Sequence, residues 1–139
     1  MHSRDEKLWT VLRLVLAALI AAHGWARLFA GAVAPFGQWL DGLGFMIGPA
    51  IAWGVTLYEI AGSALFALRR CVFPLSLGFA AIYLAGLLLV HLPEGWFVVG
   101  LGRNGMEYSV LLVCALLCVG IHYRDRRPRS SNPVAGVQP

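Results

Sequence analysis

Four stretches of the chain, about residues 8–29, 49–68, 72–90 and 105–123, are apolar around most of any helix they could form, interrupted by Arg13, His23 and Arg27 in the first and by Thr56, Glu59 and Ser63 in the second. Such a run lacks the polar side that a helix on the surface of a soluble protein keeps toward water. At a rise of about 1.5 Å per residue, about 20 residues match a hydrocarbon layer of about 30 Å, so each run predicts a membrane-spanning helix. Between the first two runs, residues 31–48 are glycine-rich and hold Pro35, Trp39 and Asp41. This connection is expected along a membrane interface, with Phe36, Trp39, Leu40, Leu43 and Phe45 dipping into lipid, and could form a short amphipathic helix. Arg69-Arg70-Cys71 is long enough only to join antiparallel neighbours. The last connection, from His91 to Asn104, passes through Pro93, Trp96 and several glycines.

The predicted fold class is all-α: an integral membrane four-helix bundle, antiparallel, filling residues 1–123. Residues 1–7 are a short charged lead, and residues 124–139 are a basic, Pro- and Ser-containing tail with the composition of a disordered segment. The first run exceeds the apolar core of about 7–15 residues in a signal peptide, so an uncleaved span is expected.

Composition agrees with this pattern. Of 139 residues, 59% are hydrophobic and 13% charged, against about a quarter charged in soluble domains, and the mean hydropathy is +0.72. The net charge of +4 raises the question of nucleic acid. The basic residues, however, cluster at the ends of apolar runs, which points to a lipid bilayer and away from a nucleic-acid partner. One set of ends collects Arg4, Lys7, Arg13, Arg69, Arg70, Arg124, Arg126, Arg127 and Arg129, and the other only Arg27 and Arg103. Both termini are therefore expected on the cytoplasmic side of a bacterial inner membrane, with Trp9 at the inner interface and Trp25, Trp39 and Trp96 at the outer one. Cys71, Cys114 and Cys118 show no CxxC spacing, so neither a metal site nor a disulfide framework is expected. Cys114 and Cys118, four apart, read as small apolar side chains.

The candidate chemistry lies in the polar residues inside the spans. His23 and Arg27 are four apart near the outer end of the first span and share a face. Glu59, in the second span, follows Thr56 and precedes Gly62 and Ser63, a stripe of polar and small residues that suits a helix–helix contact. A charge at that depth costs about 2.5–3.5 kcal/mol on insertion scales, so it must find a partner, with Arg27 or His23 the choices, or stand uncharged. His91 ends the third span, and Arg103 and Glu107 bracket the start of the fourth. Simpler roles exist for each. Arg27 and Arg103 could snorkel to the interface. His91 could mark a helix stopped ahead of Pro93, and Glu107 could favour the positive end of its helix. Tyr58, Tyr83 and Tyr108 could line a pocket or only pack. All six candidates, Glu59, His23, His91, Arg27, Arg103 and Glu107, fall in the same half of the bundle.

Tyr58-Glu59-Ile60-Ala61-Gly62 in the second span, Leu68-Arg69-Arg70 in the turn after it, and Gly105-Met106-Glu107-Tyr108-Ser109 opening the fourth together resemble the DoxX family of small four-helix membrane proteins. The likeness extends over about residues 10–122, with Ala61 where many relatives carry a second glycine. It implies a membrane subunit of a respiratory or thiol/oxidative-stress redox system, since the family takes its name from a subunit associated with a thiosulfate:quinone oxidoreductase. A quinone bound in the outer half of the bundle is one expectation. A non-catalytic anchor or assembly subunit for a membrane or periplasmic partner enzyme is the alternative, and further copies of the chain are also candidate partners. Haem held between His23 and His91 is disfavoured, because His91 sits at a helix end and no second histidine pair exists. Transport is disfavoured by the lack of inverted repeats.

Overall fold

In a computed structural model of the chain, residues 2–100 and 102–124 are described. Among these residues the secondary structure is helical, without strands. Helix α1 covers His2–Phe29 and α2 covers Val33–Gly42. Helix α3 runs from Gly48 to Ala67, α4 from Val72 to Glu94 and α5 from Glu107 to Arg124. All but α2 are long and apolar enough to cross a membrane. Only 28–33% of the most apolar window of each is buried inside the protein, so their outer faces are left for lipid.

Helix α1 begins earlier than its apolar run. Residues 2–7, expected as a lead, belong to the helix, and Asp5 in its first turn complements the positive end of the dipole. The tail expected at 124–139 lies outside the described residues beyond Arg124.

One core forms where α1, the end of α3, α4 and α5 meet. Ile20, Phe66, Phe79, Leu116 and Val119 are fully buried there, and the Phe66 and Phe79 rings meet edge to face at 5.8 Å. Arg13 is 5% exposed at this end. Its Nη1 donates to the carbonyls of Phe66 and Ala67, and its Nε to the Tyr123 hydroxyl at 3.2 Å. Both carbonyls lie in the last turn of α3, short of a full set of helical partners, and Phe66 O also accepts from Arg69 N–H at 3.2 Å. Arg13, expected among the basic residues of a membrane boundary, is thus a buried helix cap held against the negative end of α3. Tyr123 lies between two guanidinium groups, Arg13 at 5.3 Å and Arg69 at 5.2 Å.

Helix α2 closes the opposite end. Its buried Val33 and Leu40 pack with Ala52, against Leu28, Phe36 and Ile51. Leu40, expected to dip into lipid, faces protein instead. The reason is a close approach: a side chain on Gly37 would meet the Pro49 backbone at 2.7 Å. The Asp41 carboxylate also accepts a hydrogen bond from Gly48 N–H at 2.7 Å, which caps the start of α3.

Candidate functional site

Two of the spanning helices are irregular, and the irregularities coincide with candidate residues. Tyr58–Gly62 in α3 and Leu87–His91 in α4 are π-helical turns. A π-turn accommodates one extra residue and so rotates the next part of the helix by about 100° relative to a regular one. Glu59 lies in the first of these turns, and His91 ends the second. Helix α1 approaches the first one through Gly24, where a Cβ would stand 2.8 Å from Ile60 Cγ1 and 3.1 Å from Glu59 Cβ.

That approach brings Arg27 onto Glu59. Arg27 Nη1 lies 2.7 Å from Glu59 Oε2 and donates to Thr56 Oγ1 at 3.1 Å. The other carboxylate oxygen, Oε1, accepts from the Tyr83 hydroxyl at 3.2 Å. Glu59 is 1% exposed, and the Thr56 hydroxyl donates to the Ala52 carbonyl at 2.7 Å. The Arg27 guanidinium also lies over the Phe36 ring of α2, 4.8 Å from its centre. The stripe read from the sequence, Thr56, Glu59, Gly62 and Ser63, is buried throughout. Of the two partners considered for Glu59, Arg27 is the one in contact.

Beside this ion pair is a cavity of about 600 Å³. Arg27 and Glu59 reach its wall, with His23 from α1, Tyr83 and His91 from α4, and Tyr108 and Ser109 from α5. Most of the remaining lining is apolar, including Ile51, Val55, Leu89, Val90 and Leu112. Phe36, Trp39, Leu40 and Phe45 close it from the α2 end, so the connection expected along a membrane interface is part of the wall. Trp39 is 40% and Tyr108 51% exposed, and the cavity therefore opens to its surroundings.

Both histidines are oriented by main-chain carbonyls. His23 Nδ1 lies 2.9 Å from Leu19 O, one turn back in α1, and its ring meets Tyr83 edge to face at 5.8 Å. His91 Nδ1 lies 2.7 Å from Asn104 O. Asn104 has φ +57°, a left-handed conformation that asparagine tolerates better than most residues.

Arg103 and Glu107 lie elsewhere. Arg103 is exposed and forms none of the cavity wall. Glu107 Oε1 accepts from Val98 N–H at 3.1 Å, while Glu107 N–H donates to Trp96 O at 3.1 Å and Met106 N–H to Gly95 O at 3.0 Å. Glu107 therefore fastens the α4–α5 connection to the first turn of α5. The structure gathers four of the six candidates, Glu59, Arg27, His23 and His91, at one cavity. Of the three tyrosines read as possible pocket lining, Tyr83 and Tyr108 reach the wall and Tyr58 does not; the bond from Tyr83 to Glu59 and the place of α2 as a roof had no signal in the sequence.

Neither the curated proteins nor the solved structures contain a match to this chain. The DoxX family profile matches residues 8–92, which include α1 from Leu8 onward, α2, α3, both π-turns and His91 but stop short of Gly105–Ser109. The chain belongs to the DoxX family, and it is a multi-pass membrane protein by its four apolar spanning helices.

Proposed function

We propose that the chain is the membrane subunit of a redox system and binds a quinone in the cavity beside Arg27 and Glu59. The observation that carries this reading is the cavity itself. Its volume of about 600 Å³ lies in the usual range for small-molecule sites, about 300–1,000 Å³, and a few polar groups converge on largely apolar walls. The residues suit a flat, amphipathic ring. Arg27 offers a cationic donor held in place by Glu59, His23 and His91 supply polar edges, and Trp39 and Tyr108 supply flat apolar surface. Bound there, a quinone would bring two-electron, two-proton redox chemistry. The chain's own part is to orient the ring, keep the Arg27 charge in position and exclude bulk water.

The same reading takes the spans as an antiparallel bundle in a bacterial inner membrane, with both termini cytoplasmic. The support is the charge asymmetry that remains once Arg13 is set aside as a buried cap. Arg4, Lys7, Arg69, Arg70 and Arg124 lie at one set of helix ends, and Arg27 and Arg103 at the other.

Titration of the detergent-solubilised protein with decylubiquinone tests the binding. The expected outcome is saturable quenching of tryptophan emission, with Trp39 at the cavity wall, together with a rise in thermal midpoint. A second reading, an anchoring or assembly subunit, is favoured by the bonding of Glu59: both carboxylate oxygens are satisfied within the fold, as in a polar cluster that sets helix register. A folded protein that responds to no quinone while retaining a polypeptide partner through purification would leave the anchoring role standing and end the quinone reading.

A further inference from the structure

We infer that the cavity selects the reduced, hydroxyl-bearing form of its ligand, a hydroquinone over the corresponding quinone. The inference rests on the quinone-binding reading and specifies which form the site prefers. It comes from the direction of the hydrogen bonds at the wall. A carbonyl oxygen can only accept, so the contacts of His23 Nδ1 with Leu19 O and of His91 Nδ1 with Asn104 O place a proton on Nδ1 in each ring. A neutral imidazole then carries a bare lone pair on Nε2. Tyr83 points the same way: its hydroxyl proton is committed to Glu59, and its oxygen can only accept from a ligand. Glu59 is itself an acceptor.

Three cavity-lining groups on α1 and α4 therefore have fixed acceptor roles toward a ligand, and the fixed donors are the Arg27 guanidinium and, at the α2 roof, the Trp39 indole N–H. Asn104, Tyr108 and Ser109 can play either part and do not decide between the two forms. A quinone carbonyl, itself only an acceptor, would set lone pair against lone pair at His23, His91 or Tyr83. A hydroquinone hydroxyl donates to the same atoms and still accepts from Arg27. His23 is exposed and His91 half-buried in the fold, so a bound ring is what would cover them, and an acceptor covered without a donor costs more than a matched bond gains, a difference that separates two ligands of almost identical shape.

The test compares three probes on the full chain in detergent, kept anaerobic. The probes are decylubiquinone, its dithionite-reduced hydroquinone, and the dimethyl ether of that hydroquinone, which keeps the ring and tail, lacks the donors and carries an added methyl at each of the two oxygens. Calorimetric titration is expected to give the hydroquinone a Kd at least about tenfold lower than either of the others, as two matched hydrogen bonds of ordinary strength would supply. His23→Phe and His91→Phe should each shrink that preference. Should either variant fail to fold, the comparison of quinone with hydroquinone on the unaltered protein still decides. Equal affinities, tighter binding of the quinone, or an ether as tight as the hydroquinone would overturn the selectivity and leave the cavity as a quinone site. Binding of none of the three would remove the proposed function, and the inference with it. A Soret band in the purified protein would also overturn it, since the Nε2 atoms would then be on iron.

Discussion

Arg27 and Glu59 form an ion pair that is unevenly buried, with side-chain exposures of 19% and 1%. Removing one partner from such a pair strands the other, at a cost of about 3–5 kcal/mol, whereas replacing both with neutral groups of similar size is close to neutral. Arg27→Met should therefore destabilise the protein by about 3 kcal/mol, the lower end of that range because Arg27 retains some exposure. Adding Glu59→Gln in the same chain should restore most of the loss, since an amide keeps an acceptor for Tyr83 and carries no charge. Unfolding in mixed micelles measures both, and a double variant no more stable than Arg27→Met would show that the pair's charge is not what matters there. These residues were legible in the sequence because of their depth. A carboxylate in the middle of an apolar run demands a partner, and Arg27 was one of two residues positioned to supply it. Depth does not report which way around a helix a side chain points, nor that a carboxylate at a helix start will engage a nearby backbone N–H. For that reason Glu107, fastened to Val98, could not be told apart in advance from the residues that line the cavity.

The π-turns are the features of the elements that sequence did not disclose. Tyr58–Gly62 reads as ordinary helix in composition, and a widened turn has no local signature when the neighbouring helix is what makes it worthwhile. Four apolar spans were visible because a membrane requires about 20 apolar residues from each. The docking of α2 was not, because Gly37 and Asp41 look like loop residues until Pro49 and Gly48 are placed against them. Gly24 is the pivot of the first π-turn, and it yields a paired prediction. Gly24→Ala puts a methyl group 2.8 Å from Ile60 Cγ1 and 3.2 Å from the Thr56 carbonyl, which should push α1 away from α3 and destabilise by about 1–3 kcal/mol. Gly54→Ala, in the same span with nothing within 4 Å of the added methyl, should be neutral or stabilising by up to about 1 kcal/mol through helix propensity. Thermal unfolding of the two variants side by side separates contact from propensity. Equal effects at both positions would mean that α1 does not rest on the π-turn.

At the scale of the whole molecule, the two ends differ in kind. One end is tied by Arg13, whose guanidinium caps α3 and meets Tyr123 of α5, and it presents Arg69 and Arg70 in the turn before α4. The other end holds the cavity, roofed by α2, with Arg103 exposed in the connection beyond. Insertion machinery reads the excess of Lys and Arg near span ends and keeps the richer side in the cytoplasm. The cavity should consequently open toward the outer half of the membrane, within reach of a partner outside the cytoplasm. Cys71 is exposed beside Arg69 and Arg70 and serves as a native probe of the basic end. In intact cells a membrane-impermeant maleimide should leave Cys71 unlabelled until the membrane is permeabilised. Arg103→Cys in a Cys71→Ser background should label without permeabilisation, because Arg103 is exposed and supports neither the cavity wall nor the Glu107 clasp. Cys114 and Cys118, exposed on α5 within a span, face lipid and should stay unreactive toward the aqueous reagent in both cases. The reverse pattern would invert the molecule in the membrane and place the cavity on the cytoplasmic side, where a partner would have to be a cytoplasmic enzyme.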